Sequence, residues 1–110
     1  MGQIYLMRGE PDRALASIKR ARAIEPDNPD LMNLLGSVHV QRGDLASAET
    51  AYLDALRFGD FADVWYNLGV AAERKGPEHR ELAAERYRRA LAANPTDPRA
   101  RANLEALLSR

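Results

Sequence analysis

The stretch that decides the fold runs from Ala62 to Pro95 and reads ADVWYNLGVAAERKGPEHRELAAERYRRALAANP. It opens on Trp65-Tyr66-Asn67-Leu68-Gly69 and continues with Ala72, Ala83, Tyr87, Ala90 and Pro95. Working outward from it, the same residue types return upstream at a nearly fixed spacing. Gly2, Gly36 and Gly69 are 34 and 33 residues apart, and Ala14, Ala48 and Ala83 are 34 and 35 apart. Ala21, Ala55 and Ala90 keep that step, as do Ile18, Tyr52 and Tyr87. A period of this size marks a series of like supersecondary units, each too small to bury its apolar face alone.

The units are helical. Apolar residues recur at i, i+3, i+4 and i+7 and nowhere alternate as in a strand. The spacing predicts helices over about 1–8, 11–24, 29–42, 45–58, 62–75, 79–93 and 98–109. Asn28-Pro29 and Asp97-Pro98 read as an N-cap followed by proline at the first helical position, and Glu10-Pro11 is a weaker version. Asp44 and Asp60 are further N-cap candidates, and Gly9, Gly43 and Gly76 fall where helices must stop. The short gaps predict antiparallel hairpins. Gly36 and Gly69 sit inside helices, where glycine costs roughly 1 kcal/mol relative to alanine. A close helix crossing would justify that cost, with Ala48 and Ala83 as the expected facing residues and Trp65, Tyr52 and Tyr87 filling the space between hairpins.

On these residues the chain resembles a tetratricopeptide repeat array, whose pattern is W-x2-L-G-x2-Y, then A-x3-F, then P. The middle copy is Met32, Leu35, Gly36, His39, Ala48, Tyr52 and Ala55, with Asp60 in place of the closing proline. The first supplies Gly2, Tyr5, Ala14, Ile18, Ala21 and Pro26. The resemblance implies an all-α fold: a right-handed superhelical stack of antiparallel helix hairpins, about three repeats plus a C-terminal capping helix. It implies a single domain over 1–110, with units at about 1–28 (truncated at its start), 29–61 and 62–97, and a cap over 98–110.

Composition excludes several functions. Lys and Arg total 16, matching the 16 Asp and Glu, so no global field favours nucleic acid or an anionic membrane. No apolar run approaches the roughly 18 residues of a membrane span, and MGQIYLMRGE does not read as a signal peptide. A soluble, cytoplasmic protein is favoured, though the sequence identifies no compartment. With no cysteine there is no disulfide or thiolate site. His39 and His79 share no metal-ligand spacing, so neither metal nor cofactor is expected. His39 reads as a packing or hydrogen-bonded residue. No nucleophile elbow or phosphate-binding loop occurs, so no catalytic residue is assigned. Arg80, Arg86, Arg88 and Arg89 interleave with Glu81 and Glu85 as on a solvated face.

In arrays of this kind the leading helix of each unit lines a concave groove. The resemblance therefore places the partner-binding set at Asn33, Ser37, Gln41, Asp63, Tyr66, Asn67, Val70, Arg74 and Asn103. This mixture of amides, hydroxyls and both charges suits an extended peptide or one face of a helix. Asn67 and Asn103 hold equivalent places, and each amide can both donate to and accept from a peptide unit. Some family members clamp the terminal carboxylate of chaperone tails with asparagines and cations. Here Leu34, Asp63 and Asn67 stand at clamp positions, which argues against that ligand. The expected function is a non-enzymatic adaptor or scaffold that binds a protein segment. The alternative is a self-assembly module, forming a homodimer through an N-terminal edge at Ile4, Tyr5 and Leu15.

Overall fold

The computed structural model describes residues 10–109. The expected first helix, with Gly2, Ile4, Tyr5 and Gly9, lies outside the described residues. Among those described there are six α-helices and no strand. The chain divides into two compact units, Met1–Phe58 and Gly59–Arg110.

The first unit contains α1 (Pro11–Ile24), α2 (Pro29–Gln41) and α3 (Leu45–Ala55), the last running into a 3-10 turn at Leu56–Phe58. The second contains α4 (Ala62–Arg74), a 3-10 turn at Pro77–His79, α5 (Arg80–Ala93) and α6 (Pro98–Leu108). Within the units, α2 pairs with α3 and α4 with α5 as hairpins, while α1 packs on α2 and α6 on α5.

Helix starts follow the cap chemistry. The Asn28 side chain accepts from the Asp30 N–H at 2.9 Å, and Asp44 from the Ser47 N–H at 3.1 Å. Asp97 Oδ1 accepts from the Arg99 and Ala100 N–H groups at 3.0 and 3.4 Å. Such bonds satisfy donors that no preceding helical turn can reach. Asp60 does not cap. Phe61 occupies the N-cap position of α4 and makes no side-chain cap bond, so Asp60 lies one residue too early. Glu10 holds the N-cap position of α1, also without a side-chain bond. Gly43 and Gly76 have φ of 78° and 127°, the left-handed region that side-chain-bearing residues avoid, and each follows a helix end.

Asp97 is 3% exposed. Burial raises its pKa, but the Ala100 N–H and the side chain and N–H of Arg99 outweigh this and hold it below the ordinary 3.8. A lowered folded-state value means the contribution to stability is complete above that ordinary value and is lost as pH falls below it. Asp97→Asn should therefore flatten the acid limb of the stability curve, measured by urea unfolding between pH about 5 and 2. Asp97→Ala should cost about 1–2 kcal/mol at neutral pH. An unchanged acid limb would remove Asp97 from the account.

The glycine sites differ from the sequence expectation. A Cβ on Gly36 would lie 2.6 Å from Cδ1 of Tyr52, and one on Gly69 would lie 2.6 Å from Cδ1 of Tyr87. In each hairpin the missing side chain makes room for a tyrosine ring, not for the alanine of the facing helix. The tyrosines thus fill their own hairpin: Tyr52 is 2% exposed and Tyr87 0%. In the first unit Ala14, Ile18 and Val38 form a cluster, with Leu15, Leu34 and Leu35 packed against it. In the second, Ala72, Ala83, Tyr87, Ala90, Ala100 and Leu107 are joined by Trp65, Tyr66 and Val70.

Arg86 departs from the expected solvated face. It is buried, and its Nη1 donates to the Leu68 carbonyl of α4 at 3.3 Å. Arg88 and Arg89 of the same helix are exposed, and Arg89 lies 5.4 Å from the centre of the Trp65 ring. The i+2 step from Arg86 to Arg88 turns about 200° around the helix, which separates the buried cation from the wet one.

Candidate functional site

The most developed polar site is in the second unit. Tyr66, Val70, Glu73 and Arg74 fall at i, i+4, i+7 and i+8 of α4 and so share one face. With Asn103 and Ala106 of α6 and Tyr87 of α5, they line an open pocket of about 500 Å³. Four of the expected binding residues meet there: Tyr66, Val70, Arg74 and Asn103.

The polar atoms form an ordered chain. The Tyr87 hydroxyl donates to Glu73 Oε1 at 2.5 Å. Asn103 Nδ2 donates to the Tyr87 oxygen at 3.3 Å and to the Tyr66 oxygen at 3.4 Å. The two tyrosine rings lie 6.0 Å apart, tilted by 43°. Burial, followed by the bond to Glu73, pushes the Tyr87 pKa well above its ordinary 10.0, so the phenol keeps its proton throughout the physiological range.

At the start of α4, Asp63 and Arg99 form an ion pair at 2.8 Å. The Arg99 guanidinium lies 4.4 Å from the Tyr66 ring centre and 3.5 Å from Asp97. Asp63 thus belongs to an exposed charge cluster beside the pocket. Asn67 is half-buried and does not line the pocket, so the expected pairing of Asn67 with Asn103 is not a shared lining. Sequence spacing does not single out Glu73 or Tyr87 as site residues. It gives Tyr87 a packing role, although a tyrosine used only to fill a core has no need of its hydroxyl.

The corresponding hairpin in the first unit is finished differently. Glu73 lies four residues after Gly69, and the residue four after Gly36 is Val40. Tyr52 has no carboxylate there, and its hydroxyl meets Ser37 Oγ at 3.0 Å. Ser37 also donates to the Asn33 carbonyl at 3.3 Å, so its hydroxyl is engaged by its own hairpin. Asn33 and Gln41 both have partners of their own. A second concavity of about 420 Å³ in this unit is lined by Arg22, Leu35, His39, Ala46, Ser47, Thr50, Ala51 and Asp54. Nδ1 of His39 is buried without a hydrogen-bond partner, so His39 is a packing residue on that side of its ring.

No group of three or more His, Cys, Asp or Glu among the described residues could hold a metal ion. No described helix is long and apolar enough to cross a membrane. What the hairpins define is an all-α repeat protein with a polar pocket against one leading helix.

Comparison with known proteins gives the family. A family model described as Tetratricopeptide repeat matches residues 1–63, more than half of the chain. The chain belongs to the tetratricopeptide repeat family. No curated protein matches it. Among solved structures it is similar to the first TPR of Spaghetti (RPAP3) bound to the HSP90 peptide SRMEEVD, at 23% identity and a TM-score of 0.87, covering 98% of this chain and 87% of that one. It is also similar to the second TPR domain of human RPAP3 in complex with the HSP70 peptide SGPTIEEVD, at 18% identity and a TM-score of 0.84, covering 99% and 90%. The Sgt2 TPR domain from Aspergillus fumigatus matches at 20% identity and a TM-score of 0.88, covering 98% and 72%.

Proposed function

We propose that this chain is a non-enzymatic protein-interaction module that binds a peptide segment of a partner on the leading-helix face, acting as an adaptor or scaffold. The observation that carries the reading is the pocket of the second unit, where tyrosine hydroxyls, an amide, an arginine and the apolar Val70 and Ala106 converge. That composition matches what an extended chain offers, which is alternating peptide groups and side chains. The similar RPAP3 domains hold peptides, which supports the same class of ligand here. In the second unit Asp63, Asn67 and Asn103 belong to the proposed binding residues with Tyr66, Val70 and Arg74; in the first unit the proposed binding residues are Asn33, Ser37 and Gln41.

A chaperone tail is not the ligand this reading favours. Asp63, at a clamp position, carries a negative charge and is tied to Arg99. An acid there repels a terminal carboxylate.

Affinity capture with the full chain supplies the ligand, and substitutions then locate its site. Arg74→Ala and Asn67→Ala should each weaken binding by about threefold or more, with a fold close to wild type. Arg88→Ala, on the exposed face of α5, should change binding little. Equal losses from all three would count against a site on the leading helices.

Self-association through the N-terminal edge is the second reading. Leu15 packs against the Ala14–Ile18–Val38 cluster, so part of that expected contact serves its own unit, while Ile4 and Tyr5 lie outside the described residues. Sedimentation from micromolar to near-millimolar concentration should show a homodimer if the edge is sticky, and Leu15→Glu should abolish it. A strict monomer throughout sinks the self-assembly reading and leaves the adaptor.

A further inference from the structure

The hydrogen-bond chain in the second unit fixes which way the Asn103 amide points. Tyr87 has one hydroxyl proton, and it goes to the Glu73 carboxylate. Towards Asn103 the Tyr87 oxygen can only accept, so the amide must turn its NH2 to it. The second amide proton reaches the Tyr66 oxygen. Two groups are then left over. Asn103 Oδ1 has no donor, and the Tyr66 hydroxyl proton has no acceptor, among the described residues. An acceptor and a donor so close together match the N–H and C=O that an extended chain presents.

The charges in the pocket are also unequal in their commitments. Glu73 accepts the hydrogen bond of the Tyr87 hydroxyl, and Arg99 beside the pocket is held by Asp63 and Asp97. Arg74 lines the pocket, is exposed, and has no partner among the described residues. It is the pocket's one unmatched charge among those residues.

We propose that this pocket binds an extended, acidic, internal segment of a partner protein. Asn103 Oδ1 accepts from the N–H, and the Tyr66 hydroxyl donates to the C=O, of one residue of the segment, since an extended residue turns both groups to the same side, and Arg74 pairs with an Asp or Glu side chain of the segment. Glu73, acting through Tyr87, is the positioning residue that sets the polarity of the amide. An internal segment fits because it brings an N–H and a C=O together with a carboxylate on a side arm. The inference rests on the peptide-binding reading above and adds the ligand's chemistry to it.

The test uses the full chain against two displayed libraries of short random segments, one embedded between flexible spacers and one ending in a free carboxylate. The wild type should select embedded segments that share an acidic position. Against one such synthetic peptide, capped at both ends, Arg74→Glu should lose about tenfold in affinity. Replacing the peptide's acidic residue by lysine should restore the loss in that variant and cause one in the wild type. Tyr87→Phe should weaken binding severalfold, and the Asn103 side-chain NH2 resonances should lose their protection from exchange, which a merely space-filling Tyr87 would not produce. Embedded ligands without an acidic position, an Arg74→Glu loss that lysine does not restore, or selection of free carboxylate ends alone would overturn the inference while leaving peptide binding intact. If the wild type selects nothing from either library, the groove reading falls, and this inference with it.

Discussion

Gly69→Leu should lower the stability of this protein by about 1–3 kcal/mol, because overpacking a close contact forces side chains off their rotamers and shifts backbone. The obstacle is specific. A Cβ on Gly69 lies 2.6 Å from Cδ1 and 2.9 Å from Cζ of Tyr87, and that residue is 0% exposed. Gly69→Ala sets two effects against each other. Alanine gains about 1 kcal/mol of helix propensity over glycine, and its methyl meets the ring. The clash should win in the wild type, so Gly69→Ala destabilises. In a Tyr87→Ala background the ring is gone, and the same change should stabilise. Urea unfolding of the four proteins gives the coupling directly. An equal effect of Gly69→Ala in both backgrounds would show that glycine is there for another reason.

Tyr87→Ala should cost more, about 3–5 kcal/mol, the usual range for truncating a buried aromatic. Small domains have roughly 5–15 kcal/mol to lose, so this variant should melt far below the wild type. Tyr87→Phe keeps the ring in its slot over Gly69 and removes only the hydroxyl, and with it one hydrogen bond each of Glu73 and Asn103. Its cost should be about 1 kcal/mol, typical of one hydrogen bond. Thermal unfolding separates the two parts. If Phe cost as much as Ala, the hydroxyl network rather than the ring would be holding the hairpin.

Much of the fold is legible in the sequence because its signals are local. Asn28, Asp44 and Asp97 announce helix starts by chemistry confined to the next few residues, and Gly43 and Gly76 announce stops by backbone sterics. The period of the glycines and alanines announces the hairpins. What crosses between helices is harder to read. Spacing shows that Gly36 and Gly69 face something, and a small partner such as Ala48 or Ala83 is the natural guess. Only the packed hairpin shows a tyrosine ring in that slot. Arg86 reads as one cation in a charged run, and the helix turn that buries it beside the Leu68 carbonyl needs the neighbouring helix to be seen.

The candidate site divides in the same way. Tyr66, Val70, Arg74 and Asn103 are found by counting along leading helices, since helical spacing alone puts them on one face. Glu73 and Tyr87 matter through a bond between two helices, which spacing does not encode. Asn67 sits one residue from Tyr66 on α4, a turn of about 100° away, and falls outside the pocket lining.

The most direct test of peptide binding on the leading-helix face is to titrate the labelled full chain with a captured ligand segment and follow backbone and side-chain amide shifts. The largest changes are expected at Tyr66, Val70, Arg74 and the Asn103 side chain, with the exposed positions Glu81, Glu85 and Arg88 of α5 unmoved. Shifts concentrated on that exposed α5 face, with the pocket residues silent, would contradict it.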